Sequence, residues 1–364
     1  MNAEERFNLI TRNTIEVITP EELRRKLETG DRLKAYIGYE PSGLMHIGWL
    51  IWVFKVADMI RAGIDFTILE ATWHAYINDK LGGSMELIRT SARLIRKTMQ
   101  ALGIPVEKIR FIDAEDLAGD KDYWALVIRV SKSNSVKRIR RALTIMGRRM
   151  DEADLDASKL IYPAMQVADI FYLDLDIALG GMDQRKAHML ARDTAEKLKR
   201  KKPIAVHTPL LTSLRGLGRM DSSKIAEMEI DELYAEIKAS KSDLSSTIFL
   251  HEDPDSIRSK IRRAYCPPRE VKFNPIIEIN KYILFARPGF KLVVERPAKY
   301  GGTVVYEKYE ELERDYVEGR LHPVDLKNAT ANALIEMLEP VRRTLLSDSE
   351  TRGLIERIMG NVTR

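Results

Sequence analysis

Gly38-Tyr39-Glu40-Pro41-Ser42-Gly43-Leu44-Met45-His46-Ile47-Gly48-Trp49 lies between an apolar run, Ala35 to Tyr39, and a segment, Leu50 to Ala62, whose apolar residues recur at helical spacing. The pattern predicts a buried strand, a glycine-rich turn and a helix start in succession. Backbone N–H groups left unpaired at a helix N-terminus, with the positive end of the helix dipole behind them, form a natural site for phosphate. Two glycines alone need mean no more than a tight turn and close helix-to-sheet packing. The His-Ile-Gly core adds an imidazole donor, His46, and at Gly48 a backbone with no side chain to block a flat base.

Outward from this stretch, Asp65 to Ala71, Ile109 to Asp113, Leu175 to Leu179 and Ile204 to Thr208 read as strands. Met85 to Leu102 and Gln184 to Lys199 read as helices between them, with Gly180-Gly181 as a turn. Strands alternating with helices of this length predict βαβ units and a doubly wound parallel sheet, with the ligand at the carboxyl ends of the strands where strand order reverses. Ala3 to Thr11 and Pro20 to Glu28 read as helices capping the N-terminus. From Asp120 to Asp156 the alternation gives way to basic helical sequence, including Arg138, Arg140 and Arg141, which marks an insertion. Beyond Asp253-Pro254 the chain reads as mostly helical. The expected organisation is a Rossmann-type catalytic domain over residues 1–253, with a helical insertion at about 115–160 and a mobile loop at about 213–226, then a helical domain over 254–364.

With 364 residues the chain is long enough for two cores. Its one cysteine, Cys266, excludes an internal disulfide framework and a Cys-rich zinc site, and fits a reducing cytoplasm. No run of about 18 apolar residues and no secretory leader is evident, so no membrane association is expected. Lys and Arg outnumber Asp and Glu by 59 to 54, a net charge of +5 that is compatible with a polyanionic partner without demanding one. Only Gln100, Gln166 and Gln184 are glutamines while 31% of residues are charged, a bias that suits a hot habitat.

Tyr162, Gln166 and Asp169 are spaced i, i+4 and i+7 and so share one helix face that should pack on the sheet. Buried polar groups need partners, and either these bond to one another and to backbone or a ligand completes them. Gln184, after the Gly180-Gly181 turn, and Tyr36, on the first strand, point to the same crevice. Two Tyr, two Gln and one Asp suit a small ligand with an amine and a hydroxyl. Gly216 to Lys224, rich in glycine, hydroxyls and basic groups, predicts an exposed loop.

The His46-Ile47-Gly48-Trp49 stretch resembles the HIGH signature of class I aminoacyl-tRNA synthetases, and Arg219-Met220-Asp221-Ser222-Ser223 with Lys224 resembles their KMSKS loop. Trp49 and Asp221 depart from those patterns. Tyr162 to Asp169 and Gly180-Gly181-Met182-Asp183-Gln184-Arg185-Lys186 resemble the substrate motifs of archaeal and eukaryotic-type tyrosyl-tRNA synthetases, and the likeness extends over nearly the whole chain. It implies activation of L-tyrosine by ATP, with substrate-borne Mg2+ and no dedicated metal cage, and transfer to tRNA(Tyr) by a cytoplasmic homodimer. It implies that Tyr36 and Asp169 meet the tyrosine hydroxyl, and that Tyr162, Gln166 and Gln184 hold the α-amino group. Glu40 and His74 stand beside that pocket. By the same resemblance Gly38, Glu40, Ser42, Gly43, His46, Gly48, Met220 and Lys224 are expected to meet ATP, and His46, Gly48, Ser222, Ser223 and Lys224 to carry catalysis. Arg141, Arg185 and Lys186 match the positions that in that family meet the acceptor end of tRNA. Lys299 to Gly302 and Leu321 to Lys327 resemble anticodon-reading segments, with Tyr300, His322 and Asp325 as the readers. Two other readings stay open: the sister tryptophanyl enzyme, and a catalytically weak RNA-binding relative.

Overall fold

A computed structural model describes residues 1–146, 156–216 and 246–362. Six strands, β1 (Glu16–Ile18), β2 (Lys34–Tyr39), β3 (Asp65–Glu70), β4 (Ile109–Asp113), β5 (Ile177–Gly181) and β6 (Ile204–Thr208), form one sheet in the order β1-β6-β5-β2-β3-β4. All neighbours are parallel except the β1–β6 pair. The strands are apolar runs because helices cover both faces, as parallel sheets require, and every residue of β6 is buried. From β2 the chain winds outward through β3 to β4, and later from β5 to β6 on the opposite side. The reversal therefore falls between β2 and β5, whose carboxyl ends are Tyr39 and Gly181.

The expected helices Ala3–Thr11 and Pro20–Glu28 form as read, but the edge strand β1 between them was not anticipated. Three residues are too few to show alternation, and β1 exists through its pairing with β6, Val17 opposite Val206. Gly180 and Gly181 are not a turn. They complete β5 by pairing with His207 and Thr208, and the turn is the short 3-10 segment Met182–Gln184, so the next helix is Arg185–Lys197. A Cβ on Gly181 would sit 2.5 Å from Leu210 Cδ2, which explains glycine at this close approach. The insertion is broken: helices Lys121–Lys132 and Val136–Ala142 meet at Ser135, whose side chain caps the second.

After the helix Pro254–Arg263, capped by Asp253, come the long helix Pro323–Leu345, the C-terminal helix Ser349–Gly360, and a hairpin of β7 (Leu292–Val294) and β8 (Val304–Tyr306) absent from the sequence reading. One hydrophobic cluster joins Leu50 and Val53 under the sheet to Ile257, Leu334 and Leu338 of these helices. A second, on the other face, joins Tyr36 and Leu69 to Tyr123, Leu126 and Val130 of the insertion.

Candidate active site

The turn after β2 is held from three sides. The amide of Gly43 donates to Ser91 Oγ at 3.2 Å, and that hydroxyl donates to Gly43 O at 2.7 Å. Ile47 N–H donates to Ile248 O at 2.9 Å and Leu250 N–H to Met45 O at 3.0 Å, stitching the turn to a strand-like segment from far along the chain. His46 caps the 3-10 turn Ile47–Trp49, its Nδ1 accepting from Gly48 N–H at 3.3 Å, with Thr247 Oγ1 3.2 Å from the same nitrogen. An acceptor role for Nδ1 leaves the ring proton on Nε2. A Cβ on Gly48 would meet the His46 ring at 3.0 and 3.2 Å, so a side chain here would push the ring by a few tenths of an ångström, whatever ligand binds. Trp49 packs its ring against Tyr39, Trp52 and His46 at centroid distances of 5.5, 5.7 and 6.2 Å.

A cavity of about 360 Å³ opens at the carboxyl ends of β2 and β5. Gly38, Glu40, Ser42, His46 and Gly48 line it together with Tyr36, Tyr162, Gln166, Asp169 and Gln184, while Gly43 stands one residue behind the wall. The shared face read from the i, i+4, i+7 spacing forms on the helix Ala157–Tyr172. Tyr162 O–H donates to Glu40 Oε1 at 2.8 Å, and Glu40 also accepts from Asn78 Nδ2 at 2.9 and 3.1 Å, with Lys80 Nζ at 3.6 Å. Gln166 Nε2 donates to Gln184 Oε1 at 3.2 Å, and Gln184 Nε2 to Ile145 O at 3.2 Å. Gln166 Oε1 is buried with no hydrogen-bond partner among the described residues.

Asp169 is enclosed. Its Oδ1 accepts from Tyr123 O–H at 2.8 Å, and His74 Nε2 stands 3.4 Å from Oδ2 without the alignment of a hydrogen bond. Burial pushes the Asp169 carboxyl up to about 8, opposed by the bond from Tyr123. Burial pushes His74 down to about 4. Tyr36 is raised well above the ordinary phenol range, first by burial and then by the Asp169 charge. The far end of the cavity is thus a dry cluster of neutral-favouring groups around one carboxyl. Tyr123 was missed by the sequence reading; its helix carries an apolar stripe, Tyr123, Leu126, Val127 and Val130, that the surrounding basic charge obscured.

Met220, Ser222, Ser223 and Lys224 lie outside the described residues. Arg141 is exposed on the insertion. Arg185 pairs with Glu16 of β1 at 2.6 Å, and Glu16 also meets His207 Nδ1 at 2.8 Å, which together hold the carboxyl below its usual range. Lys186 follows, half-buried. Tyr300 is 62% exposed, and His322 caps the helix Pro323–Leu345 by accepting from Val324 N–H, with Asp325 in its first turn. Arg296 joins these segments, donating to Gly302 O and to Arg320 O at 2.9 Å each. Among the described residues no group of three or more His, Cys, Asp or Glu could hold a metal, and no helix is long and apolar enough to cross a membrane.

The family model described as tRNA synthetases class I (W and Y) matches residues 28–233 and 230–339. The chain is 63% identical to a tyrosine–tRNA ligase of Aeropyrum pernix over 364 residues, covering 100% of this chain and 99% of the relative. It is 54% identical to a tyrosine–tRNA ligase of Sulfolobus acidocaldarius, covering both chains fully. A crystal structure of tyrosyl-tRNA synthetase complexed with L-tyrosine from Pyrococcus horikoshii superposes with a TM-score of 0.88 at 43% identity, covering 98% of this chain and 100% of that one. Matched along most of its length by the model and along all of it by these relatives, the chain belongs to the class I tRNA synthetases of the W and Y type.

Proposed function

We propose that the chain is a tyrosine–tRNA ligase that activates L-tyrosine with ATP and charges tRNA(Tyr). A carboxylate oxygen of tyrosine attacks the α-phosphorus, the bond to the bridging oxygen breaks, and pyrophosphate leaves tyrosyl-adenylate behind. A hydroxyl of the terminal ribose of tRNA then attacks the adenylate carbonyl, and AMP leaves. The observation that carries the substrate choice is the enclosed Tyr36–Asp169 end of the cavity. A phenol hydroxyl completes it, whereas phenylalanine leaves buried polar groups unpartnered at about 1–3 kcal/mol each. At the nearer end, the unpartnered Gln166 Oε1 suits an ammonium donor, with Tyr162 and Gln184 beside it.

His46 presents Nε2–H to the phosphates, and Gly38, Glu40, Ser42, Gly43 and Gly48 shape the nucleotide's side of the cleft. By their likeness to the family's ATP loop, Met220 packs on the nucleotide while Ser222, Ser223 and Lys224 bring hydroxyls and charge to it, and Mg2+ arrives on the triphosphate. Catalysis in this reading is positioning and charge stabilisation, with no side-chain nucleophile. Residues 1–253 do this chemistry and 254–364 read the anticodon through Tyr300, His322 and Asp325, while Arg141, Arg185 and Lys186 meet the acceptor end. Two copies pair in the cytoplasm, a reading supported by apolar side chains left on the insertion surface, Ile128 at 67% and Val136 at 65% exposed.

Pyrophosphate exchange with each amino acid in turn tests the proposal. Exchange should depend on tyrosine. Exchange with tryptophan instead would overturn the substrate choice, and exchange with none would point to an inactive RNA-binding relative.

A further inference from the structure

Thr247 is fully buried, and its hydroxyl lies 3.2 Å from His46 Nδ1, 201 residues away in sequence. Its surroundings leave it little freedom. Lys260 Nζ donates to Thr247 O at 2.9 Å and to Glu252 Oε1 at 2.5 Å, and Glu252 Oε1 accepts from Phe249 N–H at 2.8 Å. The bonds from Ile47 to Ile248 and from Leu250 to Met45 fix the same segment against the turn that carries His46. Two groups able to donate thus converge on one ring nitrogen, the Gly48 amide and the Thr247 hydroxyl.

The two are not equivalent. An amide can only donate, so Gly48 suits the ring only while Nδ1 is bare. A hydroxyl can donate to a bare Nδ1 or rotate to accept from a protonated one. A single imidazole lone pair shared between two donors at 3.2 and 3.3 Å binds neither strongly, and the hydroxyl is the one that adds torsional restraint from outside the turn. Gly48 belongs to the same turn as His46 and moves with it. Thr247 ties the ring to the scaffold of Lys260 and Glu252.

We propose that Thr247 is a positioning residue for adenylate formation: while the Gly48 amide requires Nδ1 as acceptor and so the proton on Nε2, the Thr247 hydroxyl ties that ring to the scaffold of Lys260 and Glu252, so that it keeps one orientation toward the cleft. This rests on the reading that His46 donates to the phosphates of ATP. A donor fixed in advance costs no reorganisation as charge develops on the phosphate oxygens, whereas a ring free to rotate or to change tautomer is correct only part of the time.

The test uses the full chain and compares wild type, Thr247→Val and Thr247→Ser. Valine keeps the shape and removes the hydroxyl; serine restores it. Thr247→Val should lower kcat for tyrosine-dependent pyrophosphate exchange about tenfold while KM for tyrosine stays within about twofold, and Thr247→Ser should recover most of the rate. Valine at the wild-type rate overturns the proposal, as does a loss that serine fails to repair. Nitrogen NMR of the wild-type imidazoles, with His46 assigned by its loss in His46→Asn, reads the tautomer without relying on the Thr247 variants. A protonated Nδ1 with a bare Nε2 would equally overturn it. A wild-type protein with no tyrosine-dependent exchange would instead sink the functional reading on which the proposal rests.

Discussion

The phenolic oxygen of Tyr123 stands 2.8 Å from Asp169 Oδ1, and both side chains are buried. The helix Lys121–Lys132 belongs to the insertion, and through this bond it braces from behind the Asp169 side chain that lines the cavity. The Tyr123 bond opposes the burial that raises Asp169, and in the proposed reading it holds that carboxyl toward the substrate hydroxyl.

Replacing Tyr123 by Phe keeps the ring and removes the donor. Tyrosine KM in pyrophosphate exchange should rise about five- to tenfold, equivalent to roughly 1–1.5 kcal/mol for one hydrogen bond to a buried carboxyl, with KM for ATP unchanged. Asp169→Ala should cost more along the same axis. Equal losses for tyrosine and ATP would show that the insertion helix supports the cleft as a whole and not the phenol end.

Much of this was legible in the chain. The strands β2, β3, β4 and β6 are apolar runs bounded by turn residues, and Tyr162, Gln166 and Asp169 declared a common face by spacing alone. What escaped has one physical character: contacts whose partners are distant and whose local pattern is short or masked. β1 has three residues and is ordered by a strand almost two hundred positions later. β7 and β8 are also three residues each. Thr247 looks like any hydroxyl near a loop until the fold brings it to His46. Tyr123 was hidden because charge, which reports the solvated face of a helix, says nothing about the opposite face.

His74 and Asp169 set a pH dependence whose sign can be worked out. The folded state keeps Asp169 protonated up to about 8 and His74 neutral down to about 4, against ordinary values of 3.8 and 6.5 for the unfolded chain. Between about pH 4 and 6.5 the folded pair therefore carries one proton, on Asp169, and the unfolded pair also carries one, on His74. The pair contributes no slope there, and stability falls only above about 6.5, as the unfolded chain gives up its proton. In His74→Phe only the raised Asp169 remains, so its stabilisation is lost progressively from about pH 4 upward. Among the described residues both His74 ring nitrogens lack hydrogen-bond partners, so phenylalanine forfeits no bond seen there. Urea titrations of the two proteins should diverge by up to about 1.4 kcal/mol per pH unit between 4 and 6.5. Parallel curves over that window would mean that His74 does not stay neutral in the fold.

Gly48→Ala addresses the turn directly. The new Cβ would press on the His46 ring at 3.0 Å, and the ring must yield by a few tenths of an ångström, lengthening its bond from the Gly48 amide. Single-turnover adenylation should slow at least about tenfold while the melting temperature moves little, since Gly48 is half-buried and no positive φ is at stake. An unaltered rate would show that the His46 position is not critical to the first step.

The anticodon assignment predicts a separation of the two half-reactions. Asp325 lies in the first turn of the helix Pro323–Leu345, close in sequence to the cap His322, and Arg296 ties this start to the turn bearing Tyr300. The exposed Tyr300 ring can stack on an unpaired base, and a carboxylate can accept from the Watson–Crick edge of guanine. An acidic residue at a helix start also stabilises the helix by about 0.3–1 kcal/mol, which is the structural alternative for Asp325. If adenylate forms in the sheet cavity as proposed, Asp325→Ala should leave tyrosine-dependent pyrophosphate exchange unchanged and should slow charging of tRNA. Base-edge contacts in DNA are worth on the order of 1–3 kcal/mol, so discrimination against a tRNA altered at the first anticodon base should shrink by a comparable amount. Melting curves for Asp325→Ala and Asp325→Asn report the helix contribution separately. If the variant melts earlier yet still prefers the parent anticodon as strongly as the wild type does, Asp325 serves the helix alone, and the anticodon must be read elsewhere.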